Sequence, residues 1–146
     1  MMKGLLASLG ISASGMSAQR ARMDVIAQNI ANAEATRSSE GGPYRRRQVV
    51  FAAVPSWEDT WEVFKEDAAS PEGVRVVGVV RDPRPFREVF DPGHPDADAR
   101  GIVRLPNVNV VEEMVDLVSA SRSFEANTTA MDAAKRMFLR AIALLR

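Results

Sequence analysis

Residues 109–146, NVVEEMVDLVSASRSFEANTTAMDAAKRMFLRAIALLR, decide how the chain is read. Counting in sevens from Val110 gives Leu117, Phe124, Met131, Phe138 and Leu145, every one apolar. The intervening positions Met114, Ser121, Thr128, Lys135 and Ile142 are mixed. A line sustained over this many heptads predicts a long helix with one sticky stripe, as in a coiled-coil seam. Its start is marked as well: Pro106 closes the preceding segment, Asn109 can cap, and Glu112 stands three residues on as a capping-box partner. A helix over 109–146 would extend about 57 Å at 1.5 Å per residue, longer than a compact domain of this size is wide.

The N-terminal segment carries the same signal. Met2, Leu9, Met16, Met23 and Ile30 form a second all-apolar heptad line, with Leu6, Ala13, Arg20 and Ala27 between them. Gly4, Gly10 and Gly15 each cost about 1 kcal/mol relative to alanine, so this helix is the weaker of the two when alone. It runs out in MDVIAQNIANAEATR, residues 23–37, where Asn29 and Asn32 lie three apart on one face. Amide side chains there can satisfy the orphan backbone groups where the chain leaves the helix, or pair with a neighbouring subunit.

Between the helices the pattern changes. Gly41-Gly42-Pro43 makes a turn before the β-forming run Val49–Val54, and GVRVVGVV, residues 73–80, predicts a second strand. PFREVF and IVRLP predict a third and fourth, separated by the Pro- and Asp-rich loop DPGHPDADARG, residues 91–101. Residues 55–71, with Trp57, Trp61 and Phe64, are ambiguous between helix and loop. The expected class is α+β. Helices in 1–36 and 109–146 pair as a coiled-coil-like hairpin in one discontinuous axial domain, and 37–108 form a small β-rich domain with a single small sheet.

Composition narrows the chemistry. The 146 residues hold 19 basic and 19 acidic side chains, so no overall field favours nucleic acid or an anionic membrane. The absence of cysteine removes disulfides and thiolate metal sites, and a single histidine removes most triad and metal chemistry. No apolar run reaches the roughly 20 residues of a membrane-spanning helix. The opening MMKGLLASLGISASG faintly resembles a signal peptide, but Gly4, Ser8 and Gly10 break its apolar run and the heptads pass straight through the supposed cleavage site.

Three clusters invite a chemical reading and lose to simpler ones. Arg45, Arg46 and Arg47 could bind phosphate as part of a nucleic-acid module, yet they alternate faces as they enter a strand and read better as a solvated or protein-contacting edge. Asp91, His94, Asp96 and Asp98 match no EF-hand spacing, and turn chemistry explains them. Glu112, Glu113 and Asp116 are the acids a helix macrodipole favours in the first turns. Nucleophile, base and orienting group converge nowhere, so neither catalysis nor a cofactor or metal is expected.

Four pieces together resemble the flagellar rod proteins, and within them the proximal rod group of the FlgC type: ISASGMSAQRARMDVIAQNIANA (11–33), GGPYRRRQVVF (41–51), VFDPGHPDADARGIVRLPNVNVVEEMVDLVSASRSFEAN (89–127) and AAKRM (133–137). Phe124 and Ile102 depart from the tyrosines expected there. The resemblance implies a structural subunit, not an enzyme, that polymerises through its terminal helices with itself and other rod proteins. The product would be a drive shaft and export channel through the periplasm, with basal-body ring and export-gate components as further partners. It also implies delivery by the flagellar type III apparatus without a cleaved signal, and marks Asn29 and Asn32 as a family motif. Another axial or secreted coiled-coil assembly protein is the alternative.

Overall fold

A computed structural model describes residues 2–38, 41–54 and 73–143. The ambiguous segment 55–71 and the seam residue Leu145 lie outside them, as does the side chain of Met2. The architecture is α+β, in the order α1 (Met2–Ala31), β1 (Arg47–Val54), β2 (Gly73–Arg81), β3 (Arg87–Phe90), β4 (Ile102–Leu105) and α2 (Val110–Ala143). All four sequence-predicted strands form. They make two two-stranded sheets, β1 with β2 and β3 with β4, where the sequence suggested a single sheet. The antiparallel β3–β4 ribbon pairs Val89 with Val103 and Phe90 with Ile102. Its 91–101 connection is closed on itself by Asp91 N–H bonding to the carbonyl of Gly101, which takes a positive φ of 77°. Among the described residues no helix is long and apolar enough to cross a membrane.

The N-cap of α2 is built by the residues that mark it. Asn109 Oδ1 accepts from the Val111 amide at 3.1 Å, the second helical position, and Asn109 Nδ2 donates to Glu112 Oε1 at 3.1 Å. The two ends of the cap thus hold each other through side chains, a variant of the usual box in which the acid reaches a backbone amide.

The chain divides into two compact units. The first comprises Met1–Ala21, Val50–Gly78 and Ala120–Arg146. Its buried positions among the described residues are small: Ser12 and Ala18 on α1, Ala120 and Ala134 on α2. The backbone of Gly15 lies so close to Asn127 that an added Cβ would sit 2.9 Å from its Nδ2. Thr128 Oγ1 reaches Met16 Sδ at 3.3 Å. Small side chains let helices approach closely, and this contact uses that freedom. Ser14 ties β2 to α1: its hydroxyl donates to the Ile11 carbonyl at 2.7 Å and accepts from the Val74 amide at 3.1 Å.

The second unit, Arg22–Val49 with Val79–Ser119, has an apolar cluster of Ala33, Tyr44 and Val108 flanked by Ala35 and Val110. Pro106 is fully buried there.

Much of the buried surface of both helices lies three positions beyond the apolar heptad lines, although Ala18 and the fully buried Asn29 of α1 lie off it. Leu9, Met16, Met23 and Ile30 are half-buried, whereas Ser12, Ile26 and Ala33 are buried. On α2, Val110, Leu117, Phe124, Met131 and Phe138 are half-buried, whereas Glu113, Ala120 and Ala134 are buried. The positions four beyond the seam mostly face out, Ala13, Arg20, Ala27, Met114, Thr128, Lys135 and Ile142 among them.

Two glycines should respond oppositely to alanine. Gly10 has open space around its missing Cβ, so Gly10→Ala should raise stability by about 1 kcal/mol through helix propensity. Gly73 has φ of +152°, and a Cβ there would meet Ser14 Oγ at 2.5 Å. Gly73→Ala should therefore destabilise by about 1–3 kcal/mol. Denaturant titration of both variants checks the opposite signs.

Candidate functional site: a buried polar junction

The second unit is organised around polar groups. Asn29, in the last turn of α1, is 0% exposed and uses its full hydrogen-bonding capacity. Its Oδ1 accepts from the Arg47 amide at 3.0 Å and from the Tyr44 hydroxyl at 2.9 Å. Its Nδ2 donates to the Arg47 carbonyl at 2.8 Å and to Glu113 Oε2 at 2.9 Å. A side-chain amide thus stands where a neighbouring strand would be, pairing both backbone groups of the first residue of β1. At the same time it grips α2 through Glu113.

Glu113, also 0% exposed, takes Arg46 Nε on its other oxygen at 2.5 Å. Arg46 is 7% exposed and reaches Asp82 Oδ2 and Asp116 Oδ2, each at 3.4 Å. Its backbone is held as well, the amide donating to Asn107 Oδ1 and the carbonyl accepting from the Asp82 amide. Arg22 closes one end of the network on Asp116 at 3.1 Å, and Arg84 closes the other on Asp82 at 2.8 Å. Arg46 is shared among three anions, Glu113, Asp82 and Asp116; Arg22 joins at Asp116, and Arg84 joins at Asp82 and reaches on to Glu112 at 3.7 Å. Charges can be buried here because each has an opposite partner and hydrogen bonds besides.

The titrations follow from this packing. Burial opposes the charge on Arg46, but its bond to Glu113 and the fields of Glu113 and Asp82 outweigh that effect and raise its pKa. For Asp82, burial alone would push the carboxyl up; hydrogen bonds from the Arg84 amide and guanidinium and from Arg46 hold it below the ordinary carboxylate value.

The arginine triplet is corrected by this arrangement. Read as a solvated or protein-contacting edge, it splits by strand alternation: Arg46 points into the junction, while Arg45 stacks over Phe86 at 4.3 Å and Arg47 over Tyr44 at 5.6 Å. Glu113 is likewise a core residue rather than a first-turn surface acid, although Glu112 beside it stays exposed. Asn32 does not join the junction; its Nδ2 donates back to the Gln28 carbonyl at 2.8 Å. In the 91–98 loop, Asp91 and Asp98 accept from nearby backbone amides, His94 Nδ1 accepts from the Asp96 amide, and Asp96 takes Thr36 and Arg37. Among the described residues no cluster suited to a metal occurs. The junction links α1, α2 and the start of β1 through Asn29, Glu113, Arg46 and Arg47.

Known proteins are similar to this chain along nearly its whole length. The family described as "Flagella basal body rod protein" matches residues 9–37, and "Flagellar basal body rod FlgEFG protein C-terminal" matches residues 99–144. The flagellar basal-body rod protein FlgC of Borreliella burgdorferi is 44% identical over 98% of this chain and 99% of its own length. This chain belongs to the FlgC family of flagellar basal-body rod proteins. FlgC of Aquifex aeolicus is 43% identical over 95% of this chain and 96% of its own, and FlgC of Bacillus subtilis 42% identical over 92% and 94%. As a FlgC-type chain it is a structural subunit of the flagellar basal body and not an enzyme. The junction is the internal brace of that rod subunit.

The two motif asparagines should separate sharply on substitution. Asn29→Ala leaves buried partners on Arg47, Tyr44 and Glu113 unsatisfied and should cost about 2–4 kcal/mol, whereas Asn32→Ala should stay within about 0.5 kcal/mol. Arg46→Ala, which abandons the buried acids, should cost about 3–5 kcal/mol. Equilibrium unfolding by urea measures all three.

Acid sensitivity follows from Asp82. Its folded pKa is depressed, so its contribution is fully present above the unfolded value of about 4 and is lost as pH falls through the lower folded value. Stability measured from pH 5 down to 2 should therefore drop steeply only below about pH 4, and less steeply in Asp82→Asn.

Proposed function

We propose that this subunit polymerises through its terminal helices, with other rod proteins and with further copies of itself, into the tube that serves as drive shaft and export channel across the periplasm. Within the subunit, α1 and α2 pair as an antiparallel, coiled-coil-like hairpin. Rising numbers on α1 meet falling numbers on α2: in the second unit Arg22 bonds Asp116 and Asn29 bonds Glu113. In the first unit Met16 meets Thr128. The chain arrives through the flagellar type III apparatus without a cleaved signal, and basal-body ring and export-gate components are its further neighbours. The three glycines that weaken α1 on its own suit a segment that must travel unfolded.

The observation that carries this reading is the apolar surface left on α2. Val111, Met114, Val115 and Val118 follow i, i+3, i+4, i+7 spacing and are all exposed, Val111 by 70% and Val115 by 65%. Leu139 and Ile142 repeat the pattern near the other end. A stripe of this kind has the form of a helix-packing surface that needs a neighbour. The half-buried seam residues, Leu9, Met16, Met23 and Ile30 on α1 and Val110, Leu117, Phe124, Met131 and Phe138 on α2, keep part of their apolar area for the same use.

Val115→Asp should leave the stability of the isolated subunit within about 0.5 kcal/mol, because the side chain is exposed. It should nevertheless abolish incorporation, since assembly would bury an unpaired charge at a cost of several kcal/mol per subunit. Met131→Asp and Phe124→Asp should also block incorporation while the protein is still secreted, and Lys135→Glu should be milder. The measurement is swimming and basal-body composition in strains carrying each variant as the sole copy. Normal rods with Val115→Asp and Met131→Asp would remove the helices as the assembly surface.

A further inference from the structure

Arg45 and Arg47 turn away from the buried Arg46 and line a pocket of about 500 Å³ together with Arg37, Arg81, Gln28 and Asn32. None of the described residues lining it is acidic. Arg37 is engaged by Asp96. Arg45 is fixed in place, its Nη1 donating to the carbonyls of Asp82 at 3.0 Å and Arg84 at 3.2 Å and its guanidinium lying over Phe86. Those partners are neutral, so they orient the cation without cancelling its charge. Arg45 has no ion pair among the described residues. Asn32, the motif asparagine outside the junction, places its amide on the same wall.

We propose that this pocket docks a carboxylate-bearing segment of a neighbouring rod subunit, with Arg45 as the principal contact. The inference rests on the assembly reading above and goes beyond it, because the surface lies apart from the apolar stripe of α2. Charge complementarity argues for the occupant. On this wall Arg45 presents a cation held by neutral carbonyls and without an ion pair among the described residues, which a carboxylate complements. Guanidinium forks oriented in advance match planar carboxylates, bidentate where geometry allows. Complementary charge of this sort sets register and excludes wrong neighbours more than it adds affinity, which suits a subunit that must meet one particular axial protein.

The test is cross-linking inside assembled basal bodies, with the photo-reactive residue p-benzoylphenylalanine in place of Ser38 on the pocket wall, and in a second strain in place of Val118 on the α2 stripe. Mass spectrometry should map the Ser38 adduct to a peptide of another rod subunit rich in Asp and Glu around the attachment point. Arg45→Gln should lower the yield by about fivefold or more, and Arg45→Lys should lower it less. An adduct on a neutral or basic peptide, on glycan or on lipid would overturn the proposal, as would a yield unchanged by Arg45→Gln. Should Arg45→Gln prevent assembly, the adduct mapped in the otherwise unaltered chain decides. Adducts from Val118 with none from Ser38 would overturn the pocket alone; none from either position would overturn the assembly reading as well.

Discussion

Everything in the second unit depends on one side-chain amide satisfying a strand's backbone. The first residue of β1 leaves a turn with an unpaired N–H and C=O, which would be costly to bury. Asn29 meets both, and its remaining capacity goes to Tyr44 and Glu113. Glu113 can then be fully buried only because Arg46 neutralises it, and Arg46 only because Asp82 and Asp116 share its charge. Each buried polar group justifies the next, so the network stands as a whole or leaves orphaned charges.

Such a network contributes specificity more than net stability. Replacing buried ion pairs wholesale by apolar groups is often neutral or better, whereas breaking one partner is severe. For a subunit whose surface must be presented in one arrangement, that asymmetry is useful. An apolar core tolerates sliding and repacking, but a side-chain amide that fills all its hydrogen bonds has one register. The junction thus provides alignment.

The helices, the N-cap of α2 and all four strands were legible from periodicity and turn residues, because those signals are local. Asn109 is a cap for reasons visible within four residues. The junction was not legible, because its members are distant in sequence and look like ordinary surface residues. Alternation says that Arg46 opposes Arg45 and Arg47, but only the acids of other elements decide which side is inside. Glu112 and Glu113 are indistinguishable as first-turn acids until Arg46 arrives. Counting large apolar residues also passed over Ser12, Ala18 and Ala120, which are buried, and Gly15, whose backbone lies against Asn127.

The span of the junction has a consequence for timing. Asn29 and Glu113 are separated by 84 residues, so bringing them together in a flexible chain costs about 4 kcal/mol of loop-closure entropy before any bond forms. That condition is met only when both residues and the chain between them are available, which is most of the polypeptide, whichever terminus is made free first. Until then the arginines and acids stay hydrated and apart. The brace therefore forms late: a chain that ends before Glu113 and Asp116 lacks the acids that Asn29, Arg46 and Arg22 hold, and cannot close it.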